Sequence, residues 1–273
     1  MNPYQEIRKV PLDYSGIQSS AYAVQRYDED KGWKEAGVVG QNYLLLPNQD
    51  VKDIAEDLLS SSAVNFELDK EFFNGKSFML AYKAVDSVAS VDYTVEDNEL
   101  DKLNLGIQFW NSYDGSKSFG FSLMLYRLIC TNGMMSKQYL QNYRFRHNPG
   151  SEDWDKQLES MVHMINISQD GDNEGVNTMV KGIRQLNDFR VTSKNLGNIR
   201  HNYLKDIPTG VWGEITDKFL DPKGKYFAET NGWGLLNSAT DILWHKKKPT
   251  LASYNHNAII TDGLLSHING ICA

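Results

Sequence analysis

Cysteine is almost missing from this chain: its 273 residues hold only Cys130 and Cys272. Two thiols so far apart, one in a strand-like run and one beside the C-terminus, cannot build a disulfide framework or a zinc cluster. Long apolar runs are missing as well. No stretch approaches the roughly 20 apolar residues that span a bilayer. The opening MNPYQEIRKV also lacks the apolar core of a secretory signal, so the expectation is a cytoplasmic protein with no membrane partner. The familiar catalytic signatures are absent too. Gly75-Lys76-Ser77 ends like a phosphate-binding loop, but Lys70 stands where that loop needs glycine, and the surrounding residues read as a hairpin. The six histidines never take the HExxH spacing, and no serine sits in a GxSxG elbow. No cofactor and no metal site is therefore expected, and an enzyme is the less favoured class.

Acidic residues are missing from one stretch in particular. The net charge is −7, yet residues 1–114 carry 10 Lys and Arg against 20 Asp and Glu. From the totals of 28 and 35, residues 115–273 carry the remaining 18 against 15. Between Gly115 and Ser151 there is no acid at all, while Lys117, Arg127, Lys137, Arg144 and Arg146 are present. A locally basic, aromatic-rich stretch in an acidic chain can hold a polyanion. The plainer account is a sheet and following loop that need few acids.

What is present is a scaffold. With 41% hydrophobic and 23% charged residues, the composition is that of a globular chain with an ample core. Leu103, Leu105, Ile107 and Phe109 alternate with Asn104, Gly106, Gln108 and Trp110, the period of a strand with one buried face. Asn111 to Ser116 is a cluster of turn formers with Asp114-Gly115 at its tip, and Phe119, Phe121, Leu123 and Leu125 resume the alternation. A long β-hairpin is expected, with the rest of the chain covering its apolar face. Before it, the first residues read as a partly ordered arm, residues 21–27 and 33–46 as strands, and two more strands flank Asn74-Gly75. Asn48 is expected to cap a helix carrying Val51, Ile54, Ala55, Leu58 and Leu59.

After Ser151 the period becomes helical. Trp154, Leu158, Met161 and Ile165 form one stripe and Val176, Met179, Val180, Ile183 and Leu186 another, with more helices expected near 210–219, 232–245 and 256–268. The fold class is therefore α+β: a mostly antiparallel sheet with a long central hairpin, backed by helices, and a helical C-terminal half. Residues 1–150 form the sheet region with one helix, and residues 151–273 a helical region packing on the same core.

Cations interleaved with aromatics can follow a phosphate backbone while stacking on bases. Lys117, Lys137, Arg144 and Arg146 are the expected phosphate contacts, with Tyr143 to stack a base and His147 beside them. Tyr139, Tyr143 and Phe145 read equally well as core. Asp241 and His245 stand i, i+4 on one helix face and could orient a base, but an acid one turn before a C-terminal His is also simply stabilising. Asp114 and His147 are the other candidates for chemistry.

The stretch NSYDGSKSFGFSLMLYRLICTNGM resembles the hallmark hairpin of a phage- and plasmid-encoded family, domain-of-unknown-function family 932. It has the Asn-Ser-x-Asp-Gly-Ser turn (Asn111, Ser112, Asp114, Gly115, Ser116), a strand ending in Arg127, then Cys130 and Asn132. The basic step Arg144, Arg146 and His147 before a long helix fits the same pattern, as does Gly232 to Asp241 running on to His245. The resemblance brings no established activity and so no catalytic residue. It implies a mobile-element setting, in the host cell of a phage or plasmid, where single-strand annealing proteins are common. Those pair an antiparallel sheet and long hairpin with a helix and assemble into rings or filaments, a likeness at the level of fold. The expectation is a non-enzymatic binder of single-stranded nucleic acid that forms homo-oligomers and promotes annealing or recombination. The alternatives are an enzyme acting on nucleotides or nucleic acid, and a phage structural or host-defence interaction protein.

Overall fold

The computed structural model describes residues 1–94, 100–127, 132–136, 138, 140, 142–147, 154–169, 174–221, 230–245 and 251–272. Among these the strands form two sheets. The first is antiparallel, in the order β1 (Ile7–Tyr14), β2 (Ile17–Asp28), β3 (Gly32–Gly40). The expected N-terminal arm instead supplies β1. Ser15-Gly16 is a two-residue loop between the paired Tyr14 and Ile17, with φ of 54° and 79°. A loop with both central residues at positive φ matches the twist of the strands it joins, so the chain doubles back at once.

The second sheet runs β4 (Phe66–Phe73), β5 (Ser77–Thr94), β6 (Leu100–Ser112), β7 (Phe119–Arg127), β8 (Asn132–Met134), and β9 (Asn142–Phe145) also pairs with β7. β6 and β7 are the expected central hairpin. Its burial departs from expectation, because the polar face is covered as well: Asn104 and Gln108 are 1% and 2% exposed. Gly106 lies on the same face of the strand. A Cβ there would lie 2.4 Å from the Tyr126 ring and 2.8 Å from Met124, so these side chains close over the strand where alternation alone suggests solvent. Gln108 is accommodated by donating to the Met79 sulfur.

The helices are α1 (Asn48–Ser60), α2 (Trp154–Gln169), α3 (Glu174–Asp188), α4 (Ser193–Tyr203), α5 (Thr209–Leu220), α6 (Gly232–Trp244) and α7 (Leu251–Cys272). Asn48 does not cap α1. Pro47 holds that position without a side-chain bond, and the buried Asn48 amide donates to the Pro3 carbonyl at 2.9 Å. The unexpected α4 begins with a capping box in which Asn195 takes the place of the usual Glu or Gln opposite Thr192. None of the helices among the described residues is long and apolar enough to cross a membrane.

The chain divides into two compact units. The first comprises Met1–Val85, Ile107–Ser122 and Asn142–Asn166, the second Asp86–Gly106, Leu123–Gln141 and Ile167–Ala273. In the first unit Val24, Ala36, Val39 and Tyr113 form a buried cluster. Tyr82, Phe109, Phe121 and Phe145 meet ring to ring at 5.7–6.0 Å. In the second unit α6 is buried on nearly every side and lies among α3, α5, α7 and β8. Its Trp244 stands edge-on to Tyr126 at 5.4 Å and occupies the space that a Cβ on Gly133 would need.

Candidate nucleic-acid interface

The site is built from the hairpin tip outward, within the first unit. Asp114 accepts a hydrogen bond from the Ser116 amide at 3.0 Å, and the Ser112 hydroxyl bridges the amide and carbonyl of Lys117 at 2.9 Å each. Gly115 takes φ 72° between them. The turn therefore fixes the Lys117 backbone while its side chain stays exposed. Burial alone would raise the Asp114 pKa, but the hydrogen bonds of Ser116 and the charge of Lys76 outweigh it and hold the carboxyl below its ordinary 3.8. Such an acid serves the turn and is a poor general base at neutral pH.

His147 lies under this tip, 6% exposed. Its ring stacks on Tyr43, centroids 4.6 Å apart, and its Nδ1 meets the Leu44 carbonyl at 2.9 Å. The Leu44 amide donates back to the His147 carbonyl at 2.8 Å, and the Tyr43 hydroxyl donates to the Ser112 carbonyl at 2.7 Å. Burial lowers the imidazole pKa, opposed in part by the carbonyls of Leu44 and Lys117. A neutral histidine thus clamps residues 43–44 to the hairpin and does not turn its ring to solvent.

β9 lies along β7 with Phe119 opposite Phe145, Gly120 opposite Arg144 and Phe121 opposite Tyr143. Successive strand residues point to opposite faces, so the interleaved cations and aromatics separate. Tyr143 packs on Phe121 at 5.0 Å and Phe145 stacks on Phe119 at 5.4 Å. Arg144 falls on the other face with Gly120, exposed, and Arg146, one residue beyond β9, is exposed near the tip. Lys117, Arg144 and Arg146 are therefore brought to one end of the hairpin, while Tyr143, partly exposed, lies across the sheet from Arg144. Lys137, Tyr139 and Cys130 lie outside the described residues.

An aromatic that the sequence pattern does not single out shares the Arg144 face. A Cβ on Gly120 would come within 2.5 Å of the Trp110 ring, so the partly exposed Trp110 lies over that glycine. The only signal for this pairing is a bare glycine in an otherwise bulky strand.

The second candidate centre lies in the second unit. His245 Nε2 is 3.8 Å from Asp241 Oδ1, and the other carboxylate oxygen of Asp241 is held by Lys218 of α5. The carboxylate is shared by Lys218 and His245 and ties α5 to α6. Among the described residues no group of three His, Cys, Asp or Glu is placed to hold a metal ion.

A family model matches residues 35–258, most of the chain, from β3 through the hairpin tip to α7. The chain belongs to that family, described as Domain of unknown function (DUF932). In this DUF932 chain every candidate residue lies within the matched span, while β1 and β2 precede it. No curated protein and no solved structure matches it.

Proposed function

We propose that this DUF932 protein binds single-stranded nucleic acid without enzymatic turnover. Its setting is phage or plasmid replication or recombination in the cytoplasm of a host cell, where it promotes strand annealing as a homo-oligomer. The observation that carries the reading is the acid-free run from Gly115 to Ser151, whose Lys117, Arg144 and Arg146 are exposed around one hairpin tip. Cations spaced in this way neutralise successive phosphates, and binding then releases counterions. Lys137, in the same run, has the same role. Tyr143 offers a partly exposed ring at the border of the sheet, and His147 contributes by holding Tyr43 and Leu44 beneath the tip. The carboxylates that would serve chemistry are engaged, Asp114 by its turn and Asp241 by Lys218.

Filter binding at several salt concentrations tests this. Affinity for a single strand should fall with salt at a log–log slope of about −0.7 per phosphate neutralised. Replacing Lys117, Arg144 and Arg146 together by Ala should flatten the slope by about two units and weaken all sequences alike. If the protein retains no single strand at low salt, or the triple variant keeps the full slope, the reading is wrong.

A further inference from the structure

We infer that Trp110 is a base-stacking platform on the Arg144 face, and that it makes this face select single strands over duplex. The inference rests on the function proposed above and names the residue that reads the base. Trp110 sits near the end of β6, and Gly120 on the neighbouring β7 is its seat. A Cβ at Gly120 would lie 2.5 Å from the indole Cζ2 and 2.5 Å from the Tyr143 carbonyl. The indole edge is therefore set against bare backbone, in a position that any larger residue would deny it.

Trp110 is nevertheless only partly buried, unlike Trp233 and Trp244, which are 0% and 1% exposed in their own unit. Opposite Gly120 in the ladder stands the exposed Arg144, and two positions along, Ser122 faces the exposed Asn142. The buried Ser122 hydroxyl has no hydrogen-bond partner. From β6 across β7 to β9 is two inter-strand spacings, about 10 Å, within reach of an extended arginine. Aromatic ring, cation and amide are thus arrayed on one face of the sheet. A base stacks on the indole irrespective of its identity, while Arg144 meets a phosphate of the same strand. Duplex bases present no free face for stacking without unpairing, so the ring contributes only when the strand is single.

The experiment measures binding of oligothymidine, oligouridine and a matching DNA duplex by wild type, Trp110→Ala and Trp110→Phe. Trp110→Ala should weaken the single strands about 5- to 150-fold, leave the duplex within about 2-fold and leave the salt slope unchanged. Trp110→Phe should retain most of the affinity but lose most of the quenching of intrinsic fluorescence that a bound single strand produces. Circular dichroism of each variant separates lost folding from lost contact, and the Phe variant keeps the test decisive if the Ala variant does not fold. Full single-strand affinity in folded Trp110→Ala, equal losses on single strand and duplex, or undiminished quenching in Trp110→Phe would each overturn the inference while leaving the proposed function standing. Absence of any binding by wild type would instead remove the proposed function, and this inference with it.

Discussion

His147 is locked between Tyr43 and Leu44, and burial holds its pKa below the ordinary 6.5. The unfolded chain therefore takes up that proton at a higher pH than the folded chain does. The stabilisation is complete above about pH 6.5 and is lost as pH falls through the lower folded value. His267, also lowered by burial, acts in the same direction. Urea midpoints should drop between pH 7 and pH 5, and His147→Asn should show a shallower drop; an equal or steeper one would assign the slope to other groups. Gly115 argues from backbone instead of charge. At φ 72°, with its nearest outside neighbour Tyr43 3.6 Å from an added Cβ, the site has room but the wrong conformation for a side chain. Gly115→Val should therefore cost about 1–3 kcal/mol in a denaturant titration, and an unchanged midpoint would disprove the strain. The Asp-Gly tip is legible in sequence because few residues tolerate that conformation. The burial of His147 is not, since its partners lie some hundred positions earlier. Tyr143 and Arg144 separate by the elementary period of a strand, but β9 has four residues, too few for its period to stand out from a loop.

At the level of elements, the long periodic segments are the ones that show themselves: the hairpin, α1, α3 and α6 all lie where their apolar spacing predicts. α4 escapes because only Leu196 and Ile199 of its residues are buried, a stripe too thin to register against a polar background. The covered second face of β6 escapes for the opposite reason, since Asn104, Gly106 and Gln108 look like solvent residues in the sequence, and nothing local shows that Tyr126 and Met124 close over Gly106. α6 offers the sharper energetic test. Leu236 is 0% exposed in a helix surrounded by α3, α5, α7 and β8. Leu236→Ala should cost about 2–5 kcal/mol, measured as a shift in the unfolding midpoint, and a loss under about half a kcal/mol would mean the cavity collapses without penalty.

For the whole molecule, the change from strand period to helix period at residue 151 is easy to read, but the compact units do not follow it. The second unit draws on residues 86–106 and 123–141 as well as 167–273. A fragment of residues 151–273 would carry Trp244 without Tyr126 and Gly133, its neighbours within that unit. It should therefore show helical circular dichroism without a cooperative melt; a sharp two-state transition would disprove the dependence. Local periodicity reports which residues face inward, never which distant segment they face, so this interleaving has no signature along the chain. It has a consequence for synthesis on the ribosome. The first unit opens with residues 1–85 and is completed only when residues 142–166 emerge. At ordinary elongation rates the 81 residues between positions 85 and 166 take about 4–16 s to make. For that interval the nascent chain holds half-formed sheet with unsatisfied edges, so expression yield should respond to chaperone supply and translation speed more strongly than equilibrium stability alone would suggest.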